Sequence, residues 1–328
     1  MTVSGMKAVV LAGGYATRLW PITKHRPKMF LPVGETTVID RIFDQLERDD
    51  RVETVYVSTN ERFAGEFEAY LDERDFEKPV LSVEDTSAED EKFGVVGALA
   101  QLVEREAVDD DLLVVAGDNL MGFDLRDFLD HFEEKGTATL AAYDVGSLEK
   151  AKSYGLVALE DGRVVDFQEK PAEPKSTLVS IACYALPRAS LRFGEYLSDD
   201  NNPDEPGWFV QWLQSQEPVH AFTFEDAWYD IGAPASYLEA VEWGLGGGSI
   251  VADSATVEDS EIGENVHVMA DAHIEGSSLE RSVIFPGATI VDCDVVDSIV
   301  DEGAHLENLD LAGALIGAHT RLIDEDDG

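Results

Sequence analysis

A chain of 328 residues with 44% hydrophobic content is long enough for two domains and apolar enough to give each a core. Its 67 Asp and Glu against 24 Lys and Arg give a formal net charge of −43, which repels nucleic acid and anionic membrane and excludes polyanion binding as a first reading. The two cysteines, Cys183 and Cys293, exclude a disulfide-stapled scaffold and point to buried thiols in a reducing compartment. The acids are spread through the whole chain, with only a short terminal run at Asp324 to Asp327. Self-repulsion of that size favours a salt-rich cytoplasm, where a Debye length of about 3 Å at molar salt screens it. No stretch has signal-peptide anatomy and no apolar run reaches membrane-spanning length, so the expectation is a cytoplasmic protein without a membrane or nucleic-acid partner.

Along the chain, Lys7 to Ala12 reads as a buried strand that ends in Gly13-Gly14. Val38, Ile42, Phe43 and Leu46 recur at helical spacing. A strand over Thr54 to Thr59 and a helix over Glu61 to Leu71 follow, then a strand at Val80 to Val83, a helical stripe over Gly97 to Val103, and the strand Leu112 to Ala116. This alternation predicts a Rossmann-like, doubly wound mixed α/β sheet, with mostly parallel strands in this stretch and ligands beyond the strands' carboxyl ends. From Thr139 the pattern changes. Gly155 to Leu159 and Arg163 to Gln168 form a predicted hairpin around Asp161-Gly162, with further strands at Ser180 to Ala185 and His220 to Phe224. A helix from Pro234 to Trp243 runs into the linker Gly244 to Ser249, which places a boundary between a catalytic domain, 1–245, and a tail, 246–328. In the tail, Val251, Val257, Ile262, Val268, Ile274, Leu279, Val283, Ile290 and Val295 recur at intervals of mostly five or six residues, the pattern of a parallel β-helix whose aliphatic residues point inward.

The segment Leu11 to Pro32, L-A-G-G-Y-A-T-R-L-W-P-I-T-K-H-R-P-K-M-F-L-P, concentrates the chemistry. Two glycines after a strand let backbone amides approach an anion, Arg18 adds a planar fork suited to phosphate, and Lys28 follows between Pro27 and an apolar run. It is not a P-loop, and its glycine spacing is not that of a dinucleotide fingerprint, which disfavours a dehydrogenase.

Gly13-Gly14-Tyr15-Ala16-Thr17-Arg18-Leu19, Pro21, Thr23 and Pro27-Lys28 resemble the G-G-x-G-T-R-L-x-P-x-T-x-x-x-P-K signature of sugar-1-phosphate nucleotidyltransferases, above all the glucose-1-phosphate thymidylyl- and uridylyltransferases. Ala16 departs from it, standing where the family has glycine. Gly117-Asp118-Asn119, Tyr154-Gly155, Glu169-Lys170-Pro171 and Trp228-Tyr229-Asp230-Ile231-Gly232 continue the resemblance through the first 245 residues or so. It implies that a nucleotidyl group passes from a nucleoside triphosphate to a sugar 1-phosphate with release of pyrophosphate. Arg18 and Lys28 would hold the triphosphate, with Leu11, Ala12, Gly13, Gly14, Gly94 and Asn119 as further substrate contacts. Asp118 and Asp230 would bind Mg2+, Lys170 would grip the sugar phosphate, and Glu169 with Gly155 would recognise sugar hydroxyls. The resemblance also implies a left-handed form for the β-helix.

Pyrimidine-specific relatives carry a glutamine after the third strand, where this chain has Glu84 followed by an acidic insertion before Phe93-Gly94. An ionised Glu84 can only accept hydrogen bonds, which suits a uracil or thymine N3–H or a guanine edge. dTTP or UTP is favoured over GTP, with glucose 1-phosphate as acceptor. Two alternatives stand beside this reading: a catalytically silent regulator that binds nucleotide sugars, and a bifunctional enzyme whose tail is an acetyltransferase with a histidine base. His267, His273, His305 and His319 lie in the tail, and places at coil corners or subunit contacts are the favoured account of them, with self-association through the β-helix into a homo-oligomer.

Overall fold

The structure is a computed structural model describing residues 5–84 and 94–324. The acidic insertion, 85–93, and the terminal acidic run beyond Asp324 lie outside the described residues. The chain forms two compact units, one of Met1–Gly13 with Arg41–Trp228, the other of Gly14–Asp40 with Tyr229–Gly328. The segment that carries Arg18 and Lys28 thus belongs with the C-terminal unit, whereas the linker at 244–249 divides the sequence further on.

The first unit is built on a nine-stranded sheet. Its strands are β1 (Met6–Leu11), β2 (Val52–Asn60), β3 (Pro79–Glu84), β4 (Asp111–Ala116), β5 (Ala138–Asp144), β6 (Gly155–Glu160), β7 (Arg163–Glu169), β8 (Leu178–Leu186) and β9 (Val219–Phe224). Their spatial order is β3-β2-β1-β4-β8-β5-β9-β7-β6. β1 is flanked on both sides by parallel partners and is buried from Ala8 to Val10, which is why Ala8 to Leu11 reads as a continuous apolar run. The sheet is mixed, as expected: β8 runs antiparallel to both β4 and β5, and β7 runs antiparallel to β6 and β9. The hairpin turn sits at Asp161-Gly162, both with positive φ (49° and 78°), the pairing that a two-residue turn demands.

Helices α1 (Val38–Glu47), α2 (Ala64–Asp72), α3 (Gly94–Arg105), α4 (Leu125–Lys135) and α5 (Pro206–Gln216) follow the strands. α2 starts three residues later than its apolar pattern suggests, because the Asn60 side chain accepts the Phe63 N–H at 3.2 Å and closes a turn first. α4 has the end signals of a stable helix: Asp124 accepts the Arg126 N–H at 2.9 Å, and Gly136 closes the other end in the left-handed region. Leu99, Leu102, Leu140, Phe193, Phe209 and Leu213 belong to one buried cluster with the sheet.

In the second unit, α6 (Pro234–Leu245) stops where Gly246 turns left-handed at φ 62°. Three parallel sheets of short strands then stack into a β-helix with its own core of Val268, Ile274, Leu279, Ile290 and Val295. Ile250 pairs with His267, His267 with Val283 and Val283 with Ile299, so a coil takes 17 and then 16 residues. A coil of that length explains an apolar repeat that wavers between five and six. Each corner is a ladder of left-handed residues, such as Asp271, Gly287, Gly303 and His319, or Asp259, Gly276, Asp292 and Asn308. Val251 and Val257 do not point into a sealed core; they are exposed, because the first coil has no coil beneath it. The buried serines form a second set of ladders: Ser282 Oγ accepts the Ser298 N–H at 3.1 Å, and Ser298 Oγ accepts the Ala314 N–H at 3.0 Å.

Candidate active site

Register in the first unit brings three motif positions to one edge of the sheet. Leu11 pairs with Ser58 on β2 and Ala116 on β4, and Ser58 pairs with Ser82 on β3. Glu84 therefore ends β3 while Gly13 and Asp118 follow β1 and β4, all at the carboxyl ends of neighbouring strands, where α/β sheets bind ligands. The turn after β1 is held by its neighbours. Ala12 N–H donates to Ser58 O (2.8 Å), Gly117 N–H to Leu11 O (2.9 Å), and Asn60 Nδ2 to Gly13 O (2.8 Å).

Glu84 lies against this turn. Ser58 Oγ donates to its Oε1 at 3.1 Å, and a Cβ at Gly13 would lie 3.3 Å from that oxygen. Burial pushes the Glu84 carboxyl up from its ordinary pKa, with Ser58 and Arg105 pulling the other way. Asp118 is half-buried, and its Oδ1 accepts Asn119 Nδ2 at 3.0 Å. Asn119 is fixed in turn, because its Oδ1 accepts the Trp228 indole N–H at 2.7 Å. Trp228 packs edge-on against Tyr154 with centroids 5.0 Å apart, which ties the Asp118-Asn119 turn to the residue before Gly155.

Tyr154-Gly155 and Glu169-Lys170 meet at the end of the hairpin. Lys170 N–H donates to Tyr154 O at 3.1 Å, and Gly155 pairs with Glu169 across the hairpin. A Cβ on Gly155 would lie 2.9 Å from Glu169 Oε2, and one on Gly207 would overlap the same carboxyl group. Burial pushes the Glu169 pKa up to about 7, against the pull of Lys170, with Glu205 adding to the rise. Lys170 takes a left-handed backbone, φ 44°, and its ammonium pairs with Glu205. The segment 203–207 is the part that sequence reasoning missed. It supplies Glu205 to Lys170 and Gly207 to Glu169, and it receives Gly94, whose φ is 69° and whose Cβ would collide with Pro203 O. The available signal was Pro206-Gly207 at a helix start, a common pairing that carries no chemistry by itself.

A raised carboxylate pKa has a defined sign in stability. The fold favours the protonated form of Glu169, so its contribution is full near pH 4 and is lost as pH rises toward and through about 7. Glu169→Gln should remove that loss and raise the melting temperature at pH 8 while changing it little at pH 4. A variant that melts lower than the parent at pH 8 would show that pairing with Lys170 outweighs desolvation.

In the second unit, a Cβ on Gly232 would lie 3.0 Å from Arg18 Nη2 and 3.3 Å from Asp230 Oδ1, so both side chains flank that glycine. Gly14 has open space where a side chain would be, and Lys28 begins a short 3-10 turn, Lys28–Phe30. Ala16 is left-handed at φ 48°, and its carbonyl accepts Thr23 Oγ1 (2.8 Å) and Leu19 N–H (3.0 Å). That conformation explains the glycine of the motif. An alanine there costs about 1 kcal/mol. Ala16→Gly should stabilise the chain by about 1 kcal/mol or slightly less, read as a higher melting temperature; a lower one would count against a strained loop.

Carboxylate oxygens such as those of Asp118 and Asp230 are the donor class that Mg2+ takes. Among the described residues no group of three or more His, Cys, Asp or Glu could hold a metal ion, so a cation at either carboxylate would draw the rest of its shell from phosphate oxygens and water. In the tail, His267 is buried with a lowered pKa, His273 and His305 contact Glu275 and Glu307 at 3.3 and 3.4 Å, and His319 occupies a left-handed corner.

Residues 7–243 match the family model of nucleotidyl transferases. The chain belongs to the nucleotidyl transferase family. Among its relatives, a Sulfolobus acidocaldarius protein named "Putative mannose-1-phosphate guanyltransferase" is 29% identical over 285 residues, 85% of this chain and 76% of that protein. A Synechocystis sp. UTP–glucose-1-phosphate uridylyltransferase is 28% identical over 247 residues; they make up 72% of this chain but only 62% of that protein. The fold matches a crystal structure from Bacillus anthracis, described as a "Putative Glucose-1-Phosphate Thymidylyltransferase" with sucrose, at a TM-score of 0.64 and 23% identity over 73% of this chain and 95% of that one. Among the described residues no helix is long and apolar enough to cross a membrane.

Proposed function

We propose that this nucleotidyl transferase passes a nucleotidyl group from dTTP or UTP to a sugar 1-phosphate, with glucose 1-phosphate as the leading acceptor. The observation that carries the reading is the placement of Gly13, Glu84 and Asp118 at the carboxyl ends of neighbouring strands. An oxygen of the sugar phosphate attacks the α-phosphorus in line; the new O–P bond forms as the bond to the β-phosphate oxygen breaks and pyrophosphate leaves. That nucleophile is already an anion at neutral pH, so no general base is needed, and alignment with charge neutralisation does the work.

Arg18 and Lys28 hold the triphosphate and stabilise the departing pyrophosphate. Lys170 takes the sugar phosphate, exchanging its partner Glu205 for the ligand, and Glu169 beside Gly155 accepts from sugar hydroxyls. Mg2+, with Asp118 and Asp230 as its proposed carboxylates, would supply neutralisation of charge on the phosphates. Glu84, when ionised, accepts from a pyrimidine N3–H. The net charge of −43 supports a protein adapted to high salt.

The test is pyrophosphate release in molar KCl with Mg2+, over dTTP, UTP, GTP, CTP and ATP against several sugar 1-phosphates. The expected result is one strong signal, with dTTP or UTP and glucose 1-phosphate. A strong signal with GTP and mannose 1-phosphate would overturn the base and sugar assignments. Silence from a cooperatively folded chain would overturn the enzyme and favour a nucleotide-sugar-binding regulator.

A further inference from the structure

Three residues on one row of the β-helix meet the segment that carries Arg18 and Lys28. Ile284, Val300 and Ile316 are register partners in successive coils, so the residues that follow them, Phe285, Asp301 and Gly317, stand one above another. The Arg26 guanidinium lies 4.6 Å from the centroid of the Phe285 ring. Arg26 Nη2 reaches Asp301 Oδ1 at 2.8 Å, and His25 Nε2 lies 3.5 Å from Asp301 Oδ2. A Cβ on Gly317 would lie 3.0 Å from Pro21 Cγ. These contacts fall at Pro21, three residues after Arg18, and at Arg26, two residues before Lys28.

Asp301 is fully buried, and its Oδ1 also accepts the Glu302 N–H at 2.8 Å. Asp301 Oδ2 and Arg26 Nη1 are both buried and find no hydrogen-bond partner among the described residues; the Arg26–Asp301 contact is the shortest ion pair of this group, with Glu302 Oε2 further off at 3.7 Å from Arg26 Nη2. A buried ion pair is a poor source of stability, because desolvation takes back most of what attraction gives, and an apolar pair would hold two surfaces together as well. What a carboxylate facing a planar guanidinium over an aromatic ring adds is a fixed orientation. Nearby, the Tyr237 hydroxyl donates to Pro32 O at 2.8 Å and anchors the far end of the same segment.

We propose that Asp301 is a positioning residue for the phosphate-binding segment, acting through Arg26, and that the Phe285–Asp301–Gly317 row is the segment's seat. The β-helix is then part of the catalytic apparatus, whatever else it does. The proposal rests on the nucleotidyl-transfer reading for its kinetic consequence and on geometry alone for the seat.

The full chain is tested as Asp301→Asn and as Gly317→Leu, the second because it displaces Pro21 without leaving a buried charge unpaired. KM for the nucleoside triphosphate and KM for the sugar 1-phosphate are measured separately, together with hydrogen exchange at the amides of Leu19, Trp20, Lys24, Phe30 and Leu31, all of which are hydrogen-bonded within the segment. The expected result is a rise of about tenfold or more in triphosphate KM in both variants, since small displacements of positioned groups are costly. Sugar KM should stay within about twofold, and exchange should quicken in the segment but not in the β-helix strands. Equal rises in both KM values, or unchanged protection in a folded variant, would overturn the proposal. If the parent chain turns over no substrate pair, the transfer reading fails alone. Faster exchange confined to the segment would then still support the seat, and uniform loss of protection would overturn it.

Discussion

Asp118→Asn is expected to lower kcat by about 10³-fold or more, in the range lost when a group stabilising transition-state charge is removed, while the melting temperature stays close to that of the parent. The substitution is nearly isosteric, so its effect isolates the charge. The surrounding turn is held without the Asp118 side chain: Gly117 N–H donates to Leu11 O at 2.9 Å, and Asn119 is fixed by the Trp228 indole at 2.7 Å. That second bond orients the Asn119 amide, because with Oδ1 occupied its Nδ2 faces Asp118. An asparagine at 118 can still accept from it, so the turn survives. The formal charge proposed to hold Mg2+ does not survive, and a neutral amide is a much weaker ligand for a hard divalent cation. Raising Mg2+ should recover only a small part of the loss. Steady-state pyrophosphate release at several Mg2+ concentrations, with thermal unfolding in parallel, reads both quantities. Rates near those of the parent would refute the metal role.

Much of this arrangement is legible in the sequence because local signals and tertiary demands agree there. The run Ala8 to Ala12 before Gly13 is apolar at every position since β1 has parallel neighbours on both sides, and Asp161-Gly162 announces its hairpin through left-handed backbone that few other pairs tolerate. Ala16 is instructive in the other direction: the departure from the motif is visible in sequence, but only its φ of 48° says what the missing glycine was for. The antiparallel course of β8 was not legible, because a strand buried on both faces has the same composition in either direction. The contributions of Glu205, Gly207 and Asp301 were not legible either. An acid in a chain with 67 of them carries no signal until its partner is known, and a glycine that matters through a collision it avoids has no local pattern at all.

Gly207→Ala should raise KM for the sugar 1-phosphate strongly, lowering kcat/KM by about 10²-fold, the scale of a misplaced binding group, with triphosphate KM unchanged. Helix propensity alone argues the opposite outcome for stability, since alanine near the start of α5 is favoured over glycine by up to about 1 kcal/mol. Sterics decide the matter at this position. A Cβ on residue 207 would overlap the Glu169 carboxyl group, and a Cβ on Gly155 would lie only 2.9 Å from its Oε2, so the carboxyl group fits between two glycines. The Glu169 backbone cannot yield, because its N–H donates to Gln211 Oε1 at 3.1 Å, one turn further along the same helix, and its strand pairs with β6. The carboxyl group must therefore swing out of its cradle, away from the burial that raises its pKa and off the position proposed for the sugar hydroxyls. A double-mutant cycle with Glu169→Ala separates this from a general loosening of the helix. If the glycine acts by making room for the carboxylate, Gly207→Ala costs nothing further once Glu169 is truncated, and the two losses are far from additive. Additive losses would place the role of Gly207 in the helix itself and leave Glu169 without its cradle.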